Sequence, residues 1–77
     1  MTTRMWEAKA APGRLDDLVA WAVRAAPADA QVYRSADDRV VVIDPSGSRL
    51  PEPPAELMAR PAHSWDFEPV PRDETAR

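Results

Sequence analysis

The amino-acid sequence predicts an α+β domain built on a four-stranded antiparallel sheet, and three patterns indicate it. Apolar side chains alternate with period two at residues 3–10 and again at 62–70. A helical period covers residues 13–26, and the run at 40–43 is apolar on both faces of a strand. With a hairpin and a second short helix, the order becomes β-α-β-β-α-β, the ferredoxin-like arrangement with both helices on one face of the sheet.

The first strand ends, and the first helix begins, at a proline–glycine turn. Pro12 cannot donate a hydrogen bond to a neighbouring strand, and Gly13 suits a turn. Beyond them the apolar residues follow the i, i+3, i+4, i+7 spacing of one helical face, and Pro27 ends the helix. Asp16 and Asp17 lie in the first turn, where the helix dipole favours carboxylates.

The next two segments, residues 30–35 and 39–44, are predicted to form a hairpin, because the turn between them contains Asp37 and Asp38. Right-handed crossovers place the first and third strands in the centre of the sheet. The branched residues of the third strand are typical of a strand that is buried on both sides. Helices of so short a chain cover only one face, so we expect a second copy to cover the other, in a homodimer formed through the sheet face.

A second helix is predicted at residues 54–60, because Pro54 suits a first helical position and Pro61 ends the segment. The fourth strand, at 62–70, is predicted at an edge of the sheet because it ends in prolines. One domain therefore covers residues 1–70, and the polar residues 71–77 are predicted to be a disordered tail.

Within the fourth strand, period two separates residues of different chemistry. His63, Trp65 and Phe67 alternate with Ser64, Asp66 and Glu68. We expect the first three to form the inner, apolar side of the strand.

Composition and charge exclude several classes of function. The net charge is −3, the pI is about 5.0, and the arginines are scattered, so the clustered positive field that nucleic-acid binding needs is missing. There is no cysteine, and no apolar run has the length of a signal peptide or a membrane helix. We expect a soluble cytoplasmic protein that does not bind membranes, and whose small core is stabilised by association.

Two tryptophans are candidates for binding a ligand. Trp6 and Trp65 lie on the apolar sides of strands that we expect to be neighbours, where paired indoles can stack a flat aromatic molecule. The alternative is that both rings fill the core. Trp21 lies off the main apolar stripe of the helix, so it either covers the helix flank or belongs to an interface.

Polar candidates are expected on the other side of the same strands. Glu7 and Lys9 share a parity that we expect Asp66 and Glu68 to match, so these side chains either form cross-strand pairs or border a polar cleft. A carboxylate desolvated there can act as an acid or base. The hydroxyl of Tyr33 is a further polar group for this face.

His63 is the only histidine, and it suits a general base or a metal ligand as well as an ordinary residue at the sheet rim. A transition-metal site needs several converging ligands, and no second histidine or cysteine is present. The sequence therefore predicts no metal and no cofactor.

The stretch EAKAAPGRLDDLVAWAV, with its turn at Pro12 and Gly13, resembles the opening of dimeric α+β barrel proteins of the antibiotic biosynthesis monooxygenase type. The resemblance implies a homodimer formed by packing of two sheets, with pockets between sheet and helices. Members of that family include cofactor-free oxygenases and haem-degrading enzymes, and both groups use an asparagine with a tryptophan. This chain contains no asparagine.

Two functions follow as expectations. The first is a non-catalytic homodimer that binds a small ligand or another protein, with no catalytic residue assigned. The alternative, implied by the resemblance, is a cofactor-free monooxygenase or isomerase acting on an aromatic small molecule. Its residues would come from Trp6, Glu7, Tyr33, His63 and Trp65. Because a fold alone does not imply a function, the pocket chemistry has to separate the two.

Overall fold

The central feature of the protein is a four-stranded antiparallel sheet. A computed structural model of the chain describes residues 2–72. Its strands are β1 (Thr3–Lys9), β2 (Gln31–Arg34), β3 (Arg39–Asp44) and β4 (His63–Phe67), and the helix α1 (Leu15–Ala25) lies between β1 and β2. The spatial order β2-β3-β1-β4 confirms the α+β class and the central position of β1 and β3.

One face of the sheet, here called the helix face, carries the core because α1 packs on it. The spacing of Leu18 and Ala22 places both against the sheet, where neither is exposed. The buried hydrophobic cluster consists of Trp6, Ala8, Ala10, Leu18, Ala22, Val40, Val42 and Leu57. Three of its eight members are alanine, so this core is small, as expected for a chain of this length.

The opposite surface, here called the open face, follows from the strand register. Met5 lies opposite Ile43 on β3 and opposite Trp65 on β4, and Glu7 lies opposite Val41. Directly paired residues of antiparallel strands point to the same side, so these five side chains share the open face. β3 is thus apolar on both faces as predicted, but only its helix face is fully buried; Val41 and Ile43 are half-buried.

The predicted second helix at 54–60 is a single turn of 3₁₀ helix, Ala55–Leu57. Pro51, Pro53 and Pro54 lack a backbone N–H, so no α-helical ladder can begin earlier. The turn is nevertheless anchored: Leu57 is buried, its carbonyl accepts from the Ala11 N–H at 2.9 Å, and the Ala59 N–H donates to the Lys9 carbonyl at 2.8 Å.

The prediction that His63, Trp65 and Phe67 form the inner, apolar side of the fourth strand is wrong. All five residues of β4 are exposed, and Trp65 and Phe67 lie on the open face rather than in the core. The strand is at the edge of the sheet, as expected, and it ends at Phe67 rather than at the predicted Val70. Of the predicted tail, residues 73–77 lie outside the described part of the chain.

Two glycines adopt the left-handed conformation, and they offer a matched pair of substitutions. Gly13 has φ +75°, and a Cβ added there would have no atom within 4 Å, whereas a Cβ on Gly47, at φ +73°, would lie 2.8 Å from the Thr2 carbonyl oxygen. We expect Gly13→Ala to lower the free energy of unfolding by about 1 kcal/mol, from backbone strain alone. Gly47→Ala should cost roughly 2 kcal/mol or more, because the chain must also shift away from Thr2.

Urea denaturation of the two variants checks this prediction, since both add the same methyl group at nearly the same φ. Equal losses would show that the close approach of Gly47 to Thr2 is unimportant.

Candidate functional site

A cleft of about 370 Å³ lies on the open face of the sheet and is open to solvent. Residues from all four strands and from the β2–β3 hairpin line it: Met5, Glu7, Tyr33, Arg34, Ser35, Asp37, Arg39, Val41 and Trp65. The cleft is therefore a product of the sheet, and the strand register determines which side chains enter it.

The floor of the cleft is apolar and its sides are aromatic. Met5 and Val41 are half-buried at the centre of the sheet. Tyr33 and Trp65 stand on the two edge strands with 51% and 46% of their surface exposed. β2 and β4 are separated by three strand spacings, about 14 Å, and Tyr33 lies in the row of Val41 and Glu7 whereas Trp65 lies in the row of Met5. The two rings therefore border the apolar floor on opposite sides, and either one can stack on a flat apolar group.

An ion-pair network forms the polar end of the cleft. The Glu7 carboxylate lies 3.3 Å from Arg39 Nη1 and 3.7 Å from Arg60 Nη2, and its side chain is only 12% exposed. Arg39 Nε also lies 3.3 Å from Asp37. Glu7 is thus a carboxylate held between two guanidinium groups, which favours a role in organising the cleft over one in proton transfer.

The hairpin residues beside this network are also connected. The hydroxyl of Ser35 donates to the carboxylate of Asp37. This hydrogen bond lowers the pKa of Asp37, against a smaller rise from desolvation, and the positive charge of Arg39 lowers the pKa further. Asp37 therefore stays ionised and keeps Arg39 directed along the hairpin end of the cleft.

The structure brings together only some of the predicted site residues. Glu7, Tyr33 and Trp65 line the cleft. His63 lies on the same face but outside the cleft lining, with its ring stacked on Trp65 at a centroid distance of 6.0 Å. This places His63 at the rim of the sheet, where its imidazole widens the aromatic surface of β4.

Trp6 and Asp66 lie on the helix face, away from the cleft. Trp6 pairs in register with Ser64, not with Trp65, so the expected meeting of the two indoles does not occur. Instead Trp6 is 6% exposed and packs on Trp21 of α1 at a centroid distance of 5.7 Å. Trp21 therefore covers the helix flank, which was one of its two predicted roles.

Asp66 is correspondingly separated from Glu7. Its carboxylate lies 3.2 Å from Arg4 Nη2, while Arg4 Nη1 donates to Ser64 Oγ at 3.3 Å. The prediction that Glu7 and Asp66 lie on the same face of the sheet is thus wrong, because Arg4 rather than Glu7 is the register partner of Asp66. The pair joins β4 to β1 on the helix face.

The cleft also contains Met5, Arg39 and Val41, which were not among the candidates from the sequence. Met5 could have been found from the sequence, because it is two residues from Glu7 in the first strand and therefore lies on the same side of the strand. Arg39 had a weaker signal, as the residue that begins the third strand. Within residues 2–72 no group of three or more His, Cys, Asp or Glu side chains is placed to hold a metal ion.

Searches against protein-family models, curated proteins and solved structures find no match to the chain. In the part of the chain that the structure describes, no helix is long and apolar enough to cross a membrane. The properties of the site therefore have to be derived from its own geometry.

Proposed function

We propose that the protein is a non-catalytic, homodimeric binding protein with a ferredoxin-like protomer, in which a second copy covers the open face and the cleft holds a small aromatic ligand. The observation that carries the proposal is the exposure of Tyr33, Trp65 and Phe67 on one sheet face, at 46–51% each. Contiguous apolar surface of this kind marks interaction sites in soluble proteins.

The exposed apolar area of the open face determines how strong a dimer we expect. A fully covered aromatic side chain buries about 150–250 Å², so three half-exposed rings offer roughly 300 Å² per copy, to which Met5, Val41 and Ile43 add. Stable interfaces bury about 800 Å² per partner, so the sheet face alone lies at the weak end. We expect a dissociation constant in the micromolar range.

The chemistry of the cleft favours binding over catalysis. Its aromatic and aliphatic lining suits a flat apolar ligand, and Arg39, 45% exposed in its side chain, offers N–H donors to a polar substituent. The carboxylate of Glu7, which is largely buried, forms ion pairs with Arg39 and Arg60. A cofactor-free oxygenase needs a base beside its substrate. Here Glu7 is engaged by two guanidinium groups, and His63 lies outside the cleft lining.

The test of this function is the effect of Trp65→Ala on self-association and ligand binding. Since Trp65 is 46% exposed on an edge strand, the variant should lower the stability of the monomer by only about 1 kcal/mol. Truncation of a large interface aromatic costs about 2 kcal/mol or more, and the variant homodimer loses the ring from both copies, so the dimer should weaken at least about thirtyfold in sedimentation equilibrium. With 2-naphthoate as the probe, the indole N–H signal of Trp65 should shift in the wild-type NMR spectrum and that of Trp6 should not.

Val23→Ala is the matched control, because Val23 is also exposed, at 60%, but lies on α1. It should leave both self-association and naphthoate binding unchanged. A wild-type chain that sediments as a monomer at roughly 1 mM would exclude the dimer. A naphthoate titration that leaves the Trp65 signal in place would exclude the ligand cleft.

A further inference from the structure

The segment after β4 is an exposed extension with an apolar centre. Residues 68–72, here called the C-terminal arm, have the sequence EPVPR, and each is exposed. Val70, at 79%, has the highest exposure among the exposed large hydrophobics of residues 2–72. An isolated exposed valine is ordinary, but one held between two prolines has the composition of a proline-rich ligand.

The prolines prepare the arm for docking. Pro69 and Pro71 restrict their own φ to about −65° and bias the preceding residues towards extended conformations, so polyproline II geometry is favoured throughout the arm. Proline-rich segments of this geometry bind grooves lined by aromatic side chains, and they lose little conformational entropy on binding. The cleft of the open face, with Tyr33 and Trp65 on its two sides, is a groove of this type.

The length of the arm also matches the width of the sheet. From Glu68 to Arg72 the arm spans about 12 Å in polyproline II geometry, and the distance between the two edge strands is about 14 Å. Glu68 and Arg72 give the arm opposite charges at its ends. Arg39 and Asp37, with side chains 45% and 59% exposed, both lie at the hairpin end of the cleft, so one end of the arm meets an opposite charge there.

The arm cannot easily enter the cleft of its own chain. It leaves β4 at Phe67, which pairs with Thr3, whereas the cleft lies towards the row of Glu7 and His63. That row is about 13 Å back along the strand, so an arm bound in cis has to reverse its direction immediately after Phe67. The prolines favour an extended path instead, which points the arm away from its own sheet.

We propose that the C-terminal arm of each copy lies across the open-face cleft of a second copy, with Val70 on the apolar floor of the cleft beside Trp65. The inference rests on the proposed homodimer and extends it. Reciprocal exchange of the two arms satisfies the twofold symmetry of a dimer. It also adds apolar area to a sheet face that by itself offers less than a stable interface requires. A small ligand would share this cleft and therefore compete with the arm.

The direct test uses the full chain in a sample that mixes isotope-labelled and unlabelled copies. Isotope-filtered NMR should show contacts between the Val70 methyl groups of one copy and the Trp65 ring of the other. Val70→Asp places a charge in the apolar cleft and should weaken the dimer at least about tenfold by sedimentation equilibrium. Val23→Asp introduces the same change at an exposed valine of α1 and should leave the dimer unchanged.

Each result is informative about a different part of the proposal. Intermolecular Val70 to Trp65 contacts together with a weakened Val70→Asp dimer support the arm exchange. A wild-type dimer without those contacts, in which Val70→Asp behaves like Val23→Asp, would overturn the arm exchange while leaving the proposed dimer intact. A chain that is monomeric at roughly 1 mM would overturn the dimer and the exchange together.

Discussion

Replacing Trp6 with alanine should remove about 3–5 kcal/mol of the stability of the protein, although the same change at Trp65 should leave the fold intact. Trp6 is 6% exposed, belongs to the buried cluster and packs against Trp21 at 5.7 Å. Removing a buried tryptophan costs about 3–5 kcal/mol. A domain of this size has a total stability of roughly 4–11 kcal/mol, so the variant loses a large part of it.

Urea denaturation followed by circular dichroism measures the effect at a protein concentration low enough to keep the chain monomeric. Trp6→Phe is the control, because it keeps a large ring against Trp21 and should lose clearly less stability. If Trp6→Ala and Trp65→Ala reduced the free energy of unfolding equally, the assignment of one tryptophan to the core and the other to the open face would be contradicted.

The second large effect concerns Asp44, a fully buried carboxylate at the end of β3. One of its oxygens accepts from the Ser46 N–H at 2.9 Å and from the Ser46 hydroxyl at 2.6 Å, and the other accepts from the Ser48 N–H at 2.9 Å. Asp44→Ala leaves these donors without an acceptor and should cost about 2–3 kcal/mol. Ser46→Ala removes only the hydroxyl and should cost about 1 kcal/mol.

The contribution of Asp44 should also depend on pH. Burial raises the pKa of Asp44, but the hydrogen bonds from Ser46 and Ser48 together lower it by more, so the net change is downward from the ordinary value of 3.8. A pKa that is lower in the folded state means that the folded protein holds its proton less tightly than the unfolded chain. The stabilisation is therefore complete well above pH 3.8 and is lost as the pH falls through the folded-state pKa.

Comparison of the wild type with Asp44→Asn isolates this effect, because the other carboxylates are common to both chains. The difference in the free energy of unfolding should be constant from neutral pH to about pH 5 and should shrink at lower pH. A difference that grew on acidification would mean that burial, rather than hydrogen bonding, controls the pKa of Asp44.

Helices and strands could be predicted from the sequence where the spacing of apolar residues is regular over the whole element. The four valine and isoleucine residues of β3 and the helical spacing around Leu18 and Ala22 are such patterns, and both elements are confirmed. The prediction of a second helix was wrong, because the apolar spacing after Pro54 is short and the prolines before it lack backbone N–H donors. One 3₁₀ turn satisfies the remaining hydrogen bonds there.

The candidate site was only partly predictable for a different reason. Period two determines which residues of a strand share a side, but it does not relate the sides of two strands to each other. Trp6 and Trp65 each lie on the apolar side of their own strand, and the two sides were expected to coincide. In the structure Trp6 pairs with Ser64 instead. This shift of one residue moves Trp65 and His63 to the open face and Asp66 to the helix face, so the cleft contains half of the six candidates.

From the sequence alone follow the α+β class, the order of the strands and the apolar character of both faces of β3, because each depends on local spacing and chain connectivity. Only the tertiary structure decided the register of β4 against β1, the ion pairs around Glu7 and the burial of Asp44. The register and the ion pairs depend on contacts between residues as far apart as Glu7 and Arg60. Their energies are set by which side chains meet across the sheet, and no local pattern encodes that choice.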